Sequence, residues 1–172
     1  MAAVKLDGQE VNTSGELPKI GSLAPDFTLV KSDLTEVSLN DFKGNRLLLN
    51  IFPSIETNVC ASSVREFNLL ASALENVKIL CISMDLPFAH FRFCSAEGIQ
   101  NLITLSNFCD ERNFAHKYGV LLKDGPFKGL NARAVIIIDS QGKVIYTQLV
   151  EEIGNEPDYQ SILTFLQTDP AK

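Results

Sequence analysis

RLLLNIFPSIETNVCASSVREFNLLASALE, residues 46 to 75, changes period in its middle, and that change decides the fold. Residues 46–52 are a short apolar run of the kind that forms a buried strand, and Pro53 stops its hydrogen-bond ladder. From Cys60 onward Val64, Phe67, Leu70, Ala71 and Leu74 recur at helical spacing, which predicts a helix with Cys60 in or beside its first turn. A cysteine placed there faces unpaired backbone N–H groups and the positive end of the helix dipole, and both favour thiolate over thiol. A free thiol near pKa 8.5 is only a few per cent ionised at pH 7, and lowering it by about two units takes about 2.7 kcal/mol. A helix terminus supplies about 0.3 to 1 kcal/mol, so another donor or a cation elsewhere in the chain must provide the remainder. Thr57, three residues before Cys60, can bring a hydroxyl near the sulfur. Taken alone, the same stretch also reads as a buried apolar cysteine behind a turn or cap threonine, the usual state of a free cysteine.

The 172 residues are enough for one domain, 1–172, with a full core. With 45% apolar and 21% charged residues the composition is that of a globular chain. A net charge of -6 and a pI near 4.9 argue against nucleic acid or an anionic membrane as partner, since neither would be attracted. No apolar run approaches the roughly 20 residues of a membrane span, and the opening MAAVKLDGQEV is too polar for a signal peptide, so a cytoplasmic location is expected. In that compartment a stable disulfide is rare and a transient, catalytic one is the usual exception. Cys60, Cys81, Cys94 and Cys109 form no C-x-x-C pair, and His90 and His116 complete no ligand set, so no metal is expected.

The chain opens with a hairpin, 4–6 and 9–12 about Asp7-Gly8, followed by a loop. Residues 26–30 and 36–39 are short strands. After the Cys60 helix, 76–84 is a second buried strand, containing Cys81. Asp85 is a helix cap with Pro87 in the first turn, and Phe88, Phe91 and Cys94 then lie along one side of that helix. Residues 102–105 form a strand and 110–118 a helix closed by Gly119. Residues 132–139 and 143–150 form a hairpin about Ser140-Gln141-Gly142, and 158–167 is the closing helix. This order predicts an α/β chain with a thioredoxin-like fold, a central mixed sheet flanked by helices, and an N-terminal β-hairpin.

Pro53, Thr57 and Cys60 reproduce the spacing P-x-x-x-T-x-x-C. With FPSIET before Cys60 and CASSVREFN from it, the chain resembles the peroxiredoxins, and among them the thiol peroxidase branch of the atypical 2-Cys class. Cys94, in FRFCSAEGI, stands where that branch carries its resolving cysteine, and ARAVIIID supplies the family's distant arginine as Arg133. Glu56 stands where the branch carries aspartate, and Asn58 where a smaller residue or proline is frequent; neither supplies a reacting atom. The resemblance implies that Cys60 attacks a hydroperoxide and becomes a sulfenic acid, with no metal or organic cofactor. Thr57 would align peroxide and sulfur, Arg133 would stabilise the thiolate and the breaking O–O bond, and Pro53 would shield the site from water. Cys94 would then condense with the sulfenic acid to an intrachain disulfide, which thioredoxin would reduce. It also implies hydrogen peroxide and alkyl or lipid hydroperoxides as substrates, and a homodimer. Cys81 reads as buried and inert, Cys109 as structural, His90 as a packing or surface residue, and His116 has no evident role. The competing readings are a thioredoxin-like disulfide oxidoreductase, disfavoured by the absent C-x-x-C, a redox sensor without turnover, and a non-catalytic binding module.

Overall fold

The structure is a computed structural model that describes residues 1–74, 76–110 and 113–168. An antiparallel hairpin comes first, β1 (Ala3–Leu6) and β2 (Gln9–Asn12). Asp7 and Gly8 at its tip have φ of 51° and 76°, the paired left-handed conformation of a two-residue turn whose twist matches the strands. Next come β3 (Thr28–Lys31), β4 (Glu36–Ser38), a short 3-10 turn over Leu39–Phe42, and β5 (Arg46–Ile51). The 14-residue helix α1 (Asn58–Ala71) leads to β6 (Val77–Ser83), α2 (Pro87–Glu97), β7 (Ile103–Ser106) and the short α3 (Asn113–Lys117). β8 (Ala134–Ile138), β9 (Val144–Leu149) and α4 (Tyr159–Thr168) complete the described chain.

Seven strands form one mixed sheet in the order β4-β3-β7-β6-β5-β8-β9. β5 pairs parallel with β6 and antiparallel with β8, so it lies inside the sheet, and all six of its residues are buried. Burial on both faces explains why this strand reads as a continuous apolar run with no alternation. Alternation survives in what each residue meets. Leu47, Leu49 and Ile51 join one apolar layer with Phe114 and Tyr118, whereas Leu48 joins the other with Val64, Phe67, Ile162 and Leu166. Cys60 belongs to that second layer. The sequence therefore predicts the central sheet, the flanking helices and the hairpin correctly.

Two expectations fail at α2. Asp85 is not its cap: Leu86 holds the N-cap position without a side-chain bond, and Pro87 opens the first turn. Phe88, Phe91 and Cys94 do not form the packed side. Pro87, His90 and Phe93 are buried, while Phe88 and Phe91 are 65% and 61% exposed and Cys94 is half-buried. The inward stripe is thus displaced by one residue, about 100° around the helix, because Phe93 packs under the Arg65 guanidinium of α1 and His90 is claimed by polar groups at the end of β6.

Candidate active site

Where β5 ends, Phe52 donates its N–H to the Ile82 carbonyl and the chain turns at Pro53, which is buried. The turn closes with the Thr57 N–H donating to the Ser54 carbonyl, 3.1 Å, and the Thr57 hydroxyl donating to that same oxygen at 3.3 Å. Thr57 is the N-cap of α1: its backbone is extended, and its Oγ1 accepts the Cys60 N–H at 3.3 Å. Cys60 is therefore the third residue of the helix, with its thiol in the first turn as its sequence position predicts, and it is fully buried. The threonine cap and the cysteine are fixed by one hydrogen bond.

Arg133 arrives from the residue preceding β8. It is 1% exposed, the largest of the fully buried side chains. Nε donates to the Ile153 carbonyl at 2.9 Å and Nη2 donates to Cys60 Sγ at 3.3 Å. Nη1 is buried with no hydrogen-bond partner among the described residues. Burying a guanidinium costs several kcal/mol unless charge and hydrogen bonds compensate. A sulfur anion, or an oxygen gaining charge beside it, is the compensation this geometry offers.

Thus Thr57, Cys60 and Arg133 meet, although Arg133 lies 73 residues beyond the cysteine, while Pro53 is buried in the turn that leads to the cap. Cys94 does not join them: its Sγ lies 3.9 Å from the Thr104 hydroxyl, burial pushes its thiol up, and both it and Cys60 are free thiols. Cys81 is buried beneath α1, where burial pushes its thiol to about 12 against the weaker opposing bond from Asn50 Nδ2 at 3.5 Å. A thiol held protonated in this way fits the expectation that Cys81 is buried and inert. Cys109 is exposed, as is His116. Among the described residues no group of His, Cys, Asp and Glu is placed to hold a metal ion.

The sequence reading missed one polar cluster. Asp85 reaches back to the turn, accepting from the Ser54 hydroxyl and the Ile55 N–H, both at 2.7 Å, while Ser83 and the buried His90 stand behind it. Three polar residues, Ser83, Asp85 and His90, at the exit of an apolar strand were the available signal. Their meeting with residues 54 and 55 depends on the parallel pairing of β5 with β6, which sets both strand ends side by side.

A thioredoxin-like sheet with a buried cysteine at a helix start, capped by threonine and paired to arginine, defines a thiol-based redox protein that uses no C-x-x-C. The redoxin family model matches residues 19–163. A thiol peroxidase of Corynebacterium glutamicum is 54% identical over 166 residues, covering 96% of this chain and 99% of that protein. A thiol peroxidase of Mycobacterium bovis is 50% identical with the same coverage. A solved peroxiredoxin-like protein from Aquifex aeolicus superposes with a TM-score of 0.91 at 39% identity, covering 97% of this chain and 96% of that one. The chain belongs to the redoxin family, in its thiol peroxidase branch, and is a thiol-dependent peroxidase.

Proposed function

We propose that Cys60 is the peroxidatic cysteine, and the observation that carries this reading is the buried Arg133 guanidinium donating to its sulfur at 3.3 Å. The Cys60 thiolate attacks one oxygen of a hydroperoxide along the O–O axis. An S–O bond forms, the O–O bond breaks, and the leaving oxygen takes a proton to depart as water or an alcohol. Arg133 Nη1, the guanidinium nitrogen without a partner, is the donor left for the charge developing on the breaking bond. Thr57 orders the first turn, and Pro53, buried in the turn before the cap, keeps water from the site. The Cys94 thiol then displaces water from the sulfenic acid to form a Cys60 to Cys94 disulfide, and a dithiol of the thioredoxin class reduces it by two exchanges. Reduction by exchange needs a reducing compartment, which is the ground for a cytoplasmic location; the described residues include no helix long and apolar enough to cross a membrane. Substrates are hydrogen peroxide and organic hydroperoxides. The exposed Leu86, Phe88 and Phe91 at the start of α2 support a homodimer that covers them, and sedimentation as a monomer at micromolar concentration would overturn it.

The test of the whole reading is a steady-state assay with thioredoxin, its reductase and NADPH, run with hydrogen peroxide and with a bulky organic hydroperoxide. Turnover with either supports it. Oxidation of Cys60 without turnover would instead favour a redox sensor, and reduction of insulin disulfides without peroxide consumption a disulfide oxidoreductase.

A further inference from the structure

Asp85 is the most heavily engaged carboxylate near the turn. Oδ1 accepts the Ser54 hydroxyl at 2.7 Å; Oδ2 accepts the Ile55 N–H at 2.7 Å and the Ser83 hydroxyl at 2.5 Å. Its own carbonyl accepts the Ser106 hydroxyl of β7 at 2.5 Å. Behind Ser83, the His90 ring presents Nε2 at 2.8 Å from Oγ and 3.8 Å from the carboxylate. Ser83 has one hydroxyl hydrogen and gives it to Asp85, so His90 must donate from Nε2. The other ring nitrogen, Nδ1, is buried with no hydrogen-bond partner among the described residues. Ser83 of β6, backed by His90 of α2, thus braces the carboxylate, Ser106 of β7 holds the Asp85 main-chain carbonyl, and the carboxylate's other two bonds go to residues 54 and 55.

Those two residues carry the geometry of the site. The Ser54 carbonyl accepts both the N–H and the hydroxyl of Thr57, and Thr57 Oγ1 accepts the Cys60 N–H. An unbroken series of hydrogen bonds runs from Asp85 through the turn to the helix start.

We propose that Asp85 is the positioning residue of the Cys60 turn, fixing residues 54 and 55 so that Thr57 and the sulfur are aligned for attack on peroxide, with Ser83 and His90 holding the carboxylate in place. The inference rests on the reading of Cys60 as the attacking group. Asp85 touches neither sulfur nor peroxide. It acts through backbone placement, where a displacement of about 1 Å can cost about a hundredfold in rate. In Asp85→Asn an amide NH2 replaces one acceptor oxygen, so at least one of the three donors that face the carboxylate loses its partner.

The test is the single-turnover rate of Cys60 oxidation by hydrogen peroxide, from pH 6 to 9, for wild type, Asp85→Asn, Ser54→Ala, Ser83→Ala and the Ser54→Ala/Asp85→Asn pair, each checked for folding by circular dichroism. Asp85→Asn is expected to slow oxidation about 10- to 100-fold by the same factor at every pH, since alignment and not ionisation is lost. Ser54→Ala should slow it less, and the pair should lose less than the product of the two single losses, because the Ser54 hydroxyl acts through its bond to Asp85. A rate for Asp85→Asn within about threefold of wild type, a loss that vanishes at high pH, or losses that multiply in the pair would overturn the proposal. If Asp85→Asn does not fold, a wild-type rate in both Ser54→Ala and Ser83→Ala overturns it, and pH-independent slowing in Ser54→Ala sustains it. A wild-type protein inert to peroxide would overturn the reading of Cys60 itself.

Discussion

Arg133 is an arginine that the core has no apolar reason to contain. Its Nε is spent on the Ile153 carbonyl and its Nη2 on the Cys60 sulfur, so the side chain is held in a fixed fork whose remaining edge, Nη1, is free to meet an oxygen. Donors pre-aimed at developing charge in a water-excluded site are each worth about a hundredfold or more in rate. Arg133→Ala is therefore expected to slow Cys60 oxidation by at least about a hundredfold, and to do so even at pH values where any exposed thiol is ionised. Arg133→Lys should recover little, because an ammonium cannot hold Ile153 and the sulfur while presenting a third donor in one plane. Stopped-flow oxidation in a pH series measures both, and full recovery at high pH would confine Arg133 to ionisation. The cysteines divide by environment in the same way: Cys60 has a cap and a cation, Cys94 only a threonine hydroxyl at 3.9 Å. Cys60→Ser should lose peroxide reduction altogether. Cys94→Ser should consume about one peroxide per chain and stop as a sulfenic acid, which a dimedone-type reagent traps and mass spectrometry counts.

Between the two cysteine helices lie the contacts that a Cys60 to Cys94 disulfide is expected to loosen. Arg65 of α1 pairs through Nε and Nη2 with both Glu97 oxygens, at 2.8 and 3.0 Å. Arg92 of α2 pairs with Glu56 of the turn, and Asn68 accepts the N–H groups of Gln100 and Asn101 through its side chain. These are exposed or partly exposed bonds, the kind that contribute little net stability each, so the two helices are held in register without being locked. A disulfide needs Cα atoms within roughly 7 Å, and Cys60 is buried in the first turn of its helix while Cys94 faces β7. Oxidation should consequently loosen residues 57–64 and 87–97 and leave residues 132–150 protected, because β8 is buried at every position. Hydrogen exchange on the reduced and disulfide forms reads this out. Equal protection of both segments, with the bond verified by mass spectrometry, would mean that the cysteines were poised without opening. The strands and α1 were legible in the sequence because burial on one or both faces leaves a local apolar pattern, and the proximity of Cys60 and Arg133 was legible only through family resemblance. The inward face of α2 was not legible. Alternating aromatic residues gave two stripes one residue apart, and what chose between them was a polar partner, Ser83, supplied by another element.

At the scale of the whole molecule, the cluster that braces the turn also makes stability depend on pH. His90 is fully buried, and burial lowers it to about 4, outweighing the opposing pull of the Asp85 carboxylate. Unfolded, it returns to about 6.5. Between those values the unfolded chain binds the extra proton and the folded chain does not, so stability rises with pH across the window. It is fully present above about 6.5 and is lost progressively as pH falls toward 4. The exposed carboxylates whose hydrogen bonds hold them below the usual range, such as Asp33 at about 2, act in the same direction but at lower pH, which separates their effect from that of the histidine. His90→Gln keeps an N–H donor for the Ser83 hydroxyl and removes the titration. The urea midpoint of the wild type is expected to fall steadily between pH 7 and pH 5, and that of His90→Gln to fall much less, with the two curves converging at acid pH. Midpoints that decline in parallel would show that His90 does not titrate on unfolding, and would require the acid sensitivity to be sought in carboxylates instead.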